Sequence, residues 1–141
     1  SGSVVPTWPL PTKAGIKRRT DLLDCTDVPT HQKIPFILCG YRPPPQGPFD
    51  LLKSFFTLHN ETGNMWTHFL GAVYFTGLGV QLCQEFVQAE EHHAPFELLA
   101  VLMLVIASDF CLVSSFVYHL CKCASQGVCQ CTYKLDISGI V

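Results

Sequence analysis

Residues 64–86 form an apolar run of roughly 20 positions with no charge before Glu85, long enough as a helix to cross about 30 Å of hydrocarbon. A second run, residues 95–120, is also predominantly apolar; beyond Glu97, its one acidic residue is Asp109. As a soluble helix, residues 64–86 would need an apolar partner on every side, and 141 residues do not contain that much surface. The two runs therefore predict an all-α integral membrane protein with a multi-pass topology. Composition agrees: 48% of residues are hydrophobic and 14% charged, against about a quarter charged in a soluble domain. A net charge of −2 gives no electrostatic footprint for nucleic acid.

The chain divides along these runs. Residues 1–33 read as a flexible N-terminal arm, polar and turn-rich, with a basic Lys17-Arg18-Arg19 run. Residues 34–63 read as an interfacial segment followed by an amphipathic helix. Their proline run disfavours a continuous helix at first, and a segment lying along the membrane surface fits better than a strand. Leu51, Leu52, Phe55, Phe56 and Leu58 then recur at helical spacing. Residues 64–86 are the first span and residues 95–120 the second. Residues 121–135 read as a loop, and residues 136–141 as the start of a third span that the chain ends within, as a truncated form would.

Gly71, Ala72, Thr76, Gly77 and Gly79 predict that the first span packs closely on other helices, in the same chain or in a second copy. Lysine and arginine set orientation. Lys13, Lys17, Arg18, Arg19, Lys33, Arg42 and Lys53 precede the first span, the loop between the spans has none, and Lys122 and Lys134 follow the second. The positive-inside rule puts the N-terminus and residues 121–135 in the cytosol, so the sequon Asn60-Glu61-Thr62 stays unglycosylated. At the entry to the first span, His59, Asn60, Glu61 and Thr62 offer capping acceptors, and Trp66 lies at interfacial depth.

Three polar features interrupt the apolar pattern. Ser115 and His119 are four apart and share a helix face, and Asp136 follows seventeen residues after His119. A fold-back after the second span would bring the three to one membrane depth. His119 then reads either as an interfacial residue or as a zinc ligand, with a carboxylate orienting it or acting as base. Asp109 lies off the His119 stripe and reads as a helix–helix hydrogen bond, a protonated carboxyl, or a polar group in a bundle cavity. Cys121-x-Cys123 and Cys129-x-Cys131 are either reduced or palmitoylated juxtamembrane thiols, or four zinc thiolates. A cytosolic position argues against disulfides among the eight cysteines.

Three separated motifs occur in order: GYRPP at residues 40–44; HNETGNMWTHFLG at residues 59–71; and S-x-x-x-H at residues 115–119 followed by LDISGI at residues 135–140. Together they resemble the progestin and adipoQ receptor (PAQR) family, related to haemolysin III, over residues 34 to 141. The motif positions are Gly40, Tyr41, Arg42, Asn60, Glu61, Asn64, Trp66, His68 and Gly139. The resemblance implies a bundle of seven transmembrane helices of which this chain is the N-terminal part. It implies that His119 is one of three zinc histidines, with Ser115 and Asp136 beside the metal-bound water. The other two histidines belong to an H-x-x-x-H pair on the last helix, which this sequence does not include, so the zinc site is incomplete here and the chain by itself is not expected to catalyse.

At full length the resemblance implies a receptor for a lipid, steroid or adipokine-type ligand, at the plasma membrane or in the Golgi or endoplasmic reticulum, with ceramidase-like hydrolysis of a lipid amide. A regulatory scaffold that tethers cytosolic signalling proteins through the N-terminal arm, without hydrolysis, is the alternative.

Overall fold

The structure is a computed structural model that describes residues 22–88 and 95–140. The basic run at residues 17–19 and the His92-His93 pair lie outside the described residues.

In chain order the described elements are β1 (Leu23–Asp24), a 3₁₀ turn (Thr30–Gln32), β2 (Cys39–Tyr41), α1 (Pro48–Phe55), α2 (Thr62–Gln88), α3 (Pro95–Cys121) and α4 (Gln126–Ser138). The fold is all-α apart from one short antiparallel ladder. α2 and α3 run antiparallel, and α4 folds back along α3. Pro48 starts α1 at a position where a missing N–H is harmless. Ser125 caps α4 by accepting from the Val128 amide at 3.2 Å.

The α2–α3 seam is set by small residues. A Cβ on Gly79 would lie 2.8 Å from Val105 Cγ1, and one on Gly71 would lie 3.3 Å from Leu112. Gly71 and Gly79 are eight apart on one face of α2, so glycine lets the two backbones approach where no aqueous hydrophobic effect drives them together. α4 meets α3 in the same way: a Cβ on Gly139 would come within 2.8 Å of Cys111 Cα. The Tyr118 and Tyr133 rings lie 5.7 Å apart in the same hairpin. In that antiparallel register, the turn of α4 bearing Asp136 lies level with Ser114 and Ser115.

Away from these seams the helices are uncovered. Leu102, Met103, Leu104, Ile106 and Phe110 on α3, and Leu70, Val73 and Tyr74 on α2, are exposed. Apolar surface of that extent is left for lipid. Among the described residues, Phe96–Cys121 is the one helix both long and apolar enough to cross a membrane. α2 has the length, 27 residues or about 40 Å at 1.5 Å per residue, but Gln81, Gln84, Glu85 and Gln88 make its last turns polar.

Two expectations are corrected. Residues 121–135, read as a loop, are irregular only at residues 122–125; from Gln126 they are helical. Two Cys-x-Cys pairs and a glycine hid the helix, which is fixed by the Ser125 cap and by packing on α3 rather than by propensity. Within residues 34–48, Cys39–Tyr41 is a strand after all. It pairs with β1 through Leu23↔Tyr41 and Asp24↔Cys39, across a register irregularity. Strands of two and three residues have too little alternation to be read from sequence. Gly40 supplies the φ of +89° that the ladder requires.

Candidate functional site

The site lies where the start of α2 meets the end of α3. The entry to α2 is held by a local relay. Thr62 Oγ1 accepts from the His59 amide at 2.8 Å and donates to Thr57 O at 2.9 Å. His59 uses both ring nitrogens: Nδ1 accepts from the Glu61 amide at 3.0 Å, so Nε2 carries the proton and donates to Ser54 O at 3.0 Å. That arrangement requires a neutral imidazole. Burial, reinforced by the Arg42 charge, pushes His59 down to about 4. Trp66 closes the outer side, stacking on Phe55 at 4.5 Å and donating from Nε1 to Phe55 O at 3.1 Å.

This relay frees the Glu61 side chain to cross to α3. Glu61 is 2% exposed, and its carboxylate meets four nitrogens. Oε1 accepts from Lys122 Nζ at 2.7 Å and Asn60 Nδ2 at 3.2 Å; Oε2 accepts from Asn64 Nδ2 at 2.8 Å and lies 2.8 Å from His119 Nδ1. Burial alone raises the Glu61 carboxyl, but the hydrogen bonds from His119, Lys122 and Asn64, with the Lys122 charge, outweigh it and bring the group down to about 2. Beside this pair, the buried Arg42 donates from Nη2 to His119 O at 2.6 Å, and from Nη1 to Leu120 O at 3.2 Å and Ser54 Oγ at 2.6 Å. It thereby satisfies carbonyls that the end of α3 leaves open.

The sequence-predicted residues separate into groups. The structure brings His119, His68, Ser115, Glu61 and Asn64 together: the His68 and His119 rings stack at 5.5 Å, and Ser115 Oγ lies 3.2 Å from His68 Nε2. Ser115 thus engages α2 rather than His119. Asp136 lies across from them on α4, within electrostatic reach of His68. Gly40, Tyr41 and Arg42 form the floor. Gly40 O accepts from the Asn60 amide at 2.8 Å. Tyr41, 1% exposed, accepts from the Ile34 amide at 3.0 Å and lies within hydrogen-bonding distance of Ile37 O. Gly139 serves packing. Asp109 accepts from Thr76 Oγ1 at 2.7 Å, a helix–helix hydrogen bond distant from this cluster. Sequence reasoning missed Lys122, which it used only as a loop charge that sets orientation, although a lysine one residue past an apolar helix is well placed to fold back onto it.

The donor set suits one metal ligand. His119 presents Nδ1 to a carboxylate, the arrangement that metal-binding imidazoles use to fix the other nitrogen for the ion. Among the described residues, no group of three or more His, Cys, Asp or Glu side chains is gathered closely enough to hold a metal by itself. The juxtamembrane thiols are not so gathered either. Cys123 and Cys129 are buried, Cys131 is exposed, and all are free.

Antiparallel apolar helices with a polar cluster at one end define a helical membrane protein with a buried site near the membrane boundary. Comparison with known proteins gives the family. Residues 56–141 match the Haemolysin-III related family. Progestin and adipoQ receptor-like protein 1 of Caenorhabditis elegans is 36% identical over 106 residues, covering 74% of this chain and 24% of that protein. The Adiponectin receptor protein of Drosophila melanogaster is 33% identical over 106 residues, covering 74% and 23%. Human Progestin and adipoQ receptor family member 3 is 31% identical over 137 residues, covering 94% and 42%. The chain belongs to the haemolysin-III-related family of progestin and adipoQ receptors, and it spans about a quarter to two fifths of the length of these curated relatives.

Proposed function

We propose that the chain carries the first part of a zinc-containing PAQR-type membrane receptor, with its N-terminal segment in the cytosol. The observation that supports this reading best is the His119–Glu61 pair: a histidine at the end of an apolar helix, oriented by a buried carboxylate, has the form of a metal ligand and not that of a solvated interfacial side chain.

In this reading His119 supplies one zinc ligand, and the remaining ligands come from outside the described residues. Zinc when bound would act as a Lewis acid toward a carbonyl. Ser115 and His68 form a hydrogen-bonded pair beside it, and Asp136 on α4 supplies a carboxylate able to hold or accept a proton. Such a centre within an apolar bundle suits a lipid amide as substrate. The names of the relatives, progestin and adiponectin receptors, extend the ligand classes to steroids and adipokines.

The test is zinc content and ceramide hydrolysis in vesicles, measured on the natural-length protein and its His119→Ala and Asp136→Asn variants. The expected outcome is near-stoichiometric zinc lost in His119→Ala, with hydrolysis lost in both. Stoichiometric zinc in His119→Ala would overturn the ligand assignment. Signalling that survives both changes but not removal of residues 13–58 would make the protein a scaffold instead.

A further inference from the structure

We propose that Glu61 is a positioning residue for the metal centre: across the α2–α3 seam it fixes His119 as the Nδ1–H tautomer, reserving Nε2 for the ion. This rests on His119 being a zinc ligand, as proposed above.

The argument is one of hydrogen-bond accounting. A carboxylate offers about four acceptor positions, and Glu61 meets four nitrogens. Three are obligatory donors: the Lys122 ammonium at 2.7 Å and the Asn64 and Asn60 amides at 2.8 and 3.2 Å. With three donors already directed at it, the group is an acceptor only, so the fourth partner, His119 Nδ1 at 2.8 Å, must carry the hydrogen.

Lys122, itself buried, already pairs with Glu61 at 2.7 Å, so the carboxylate has its counter-charge from the end of α3 and takes from the ring only a hydrogen bond. The neutral Nδ1–H imidazole leaves a lone pair on Nε2, the form in which histidine binds metal. The ring's direction is also constrained, because it is stacked on His68 at 5.5 Å with an interplanar angle of 10°.

Glu61 reaches His119 across 58 residues of sequence because Asn64, one turn on, and the His59–Thr62 relay point it away from its own helix. The carboxylate therefore acts through His119 and has no part in the reaction itself.

The experiment uses two readouts on the natural-length protein: ring ¹⁵N NMR of His119 in the metal-free state, and the zinc dissociation constant by chelator competition. Wild type should show the Nδ1–H tautomer. Glu61→Ala should shift His119 toward Nε2–H and weaken zinc roughly 10- to 100-fold. The double variant Glu61→Gln with Lys122→Met should restore both, because the glutamine oxygen still accepts from Nδ1–H, no ammonium faces its amide, and the Asn60 amide can turn its oxygen toward the glutamine NH2.

A wild-type Nε2–H tautomer, or unchanged zinc affinity in Glu61→Ala, would overturn the inference. So would a loss of affinity with no change of tautomer, which would mean that Glu61 acts through folding alone. Should Glu61→Ala fail to fold, the double variant decides: an Nε2–H ring with wild-type affinity overturns the proposal. Zinc retained in His119→Ala would instead refute the ligand assignment beneath it, so the two failures are distinguishable.

Discussion

Replacing Arg42 by methionine keeps most of the side chain's length and removes its five donors. Arg42 is 5% exposed and donates to His119 O at 2.6 Å, Leu120 O at 3.2 Å and Ser54 Oγ at 2.6 Å. Ser54 keeps a partner of its own, donating to Leu51 O at 2.7 Å. The loss therefore falls on the two α3 carbonyls, of which Leu120 O keeps a long contact from Cys123 Sγ at 3.9 Å. A carbonyl left unsatisfied costs about 1–3 kcal/mol, so Arg42→Met should destabilise by about 1–5 kcal/mol. Removing the buried charge recovers part of this, which favours the lower half of the range. Arg42→Lys keeps the charge but loses the planar fork that spans two carbonyls, and should lose about half as much.

Equilibrium unfolding in mixed micelles, followed by far-ultraviolet circular dichroism, reads both variants. Hydrogen exchange should localise the damage, with residues 118–123 opening faster while residues 70–80 keep their protection. A loss below about 1 kcal/mol for Arg42→Met, roughly fivefold in the unfolding equilibrium, would refute the reasoning. So would an Arg42→Lys protein indistinguishable from wild type.

Three further outcomes are expected. Gly79→Leu should separate α2 from α3, because even a Cβ there lies 2.8 Å from Val105; a disulfide introduced between residues 71 and 112 should form less readily in that variant, and unchanged crosslinking would count against the seam. His59, held neutral and down at about 4 by burial and Arg42, is depressed relative to the unfolded chain, so its contribution is complete above about pH 6.5 and lost as the pH falls toward 4. A His59→Asn variant should flatten that part of the stability profile, and an unchanged slope would show that the His59 ring is not the group responsible. Finally, burial raises the Cys123 and Cys129 thiols, and Cys131 is exposed. Maleimide at neutral pH should therefore label Cys131 well before either, a ranking that mass spectrometry of the digested protein checks.

How far the sequence reveals this arrangement depends on how local the governing physics is. The apolar runs at residues 64–86 and 95–120 mark α2 and α3 because lipid makes one demand along the whole length of a helix. The spacing of Leu51, Leu52, Phe55 and Phe56 marks α1 in the same way. β1 and α4 escape such reading. β1 is two residues long, and α4 is held by its Ser125 cap and by the close approach of Gly139 to Cys111 rather than by periodicity. Ser115 and His119 are visible as a helix-spaced pair, but the partner that Ser115 takes, His68, lies 47 residues away.

Glu61 shows the limit most clearly. Read locally, HNET is a helix start, and a carboxylate beside an N-terminus needs no other explanation. What overrides that reading is the local relay itself. Because His59 and Thr62 satisfy the entry between them, Glu61 is not needed as a cap and can be spent across the seam. The same asymmetry accounts for Arg42, whose motif position between Tyr41 and Pro43 says nothing of α3. The last turn of a helix leaves carbonyls with no intrahelical partner, and a buried guanidinium on the preceding segment meets them. Two sets of polar residues can thus be told apart at this site: those that finish helix ends, His59, Thr62 and Arg42, and those that the finished ends release for chemistry, Glu61 and His119. The first set holds the second in place, which is why a change at Arg42 should be felt at the His119 ring although Arg42 reaches only the His119 backbone.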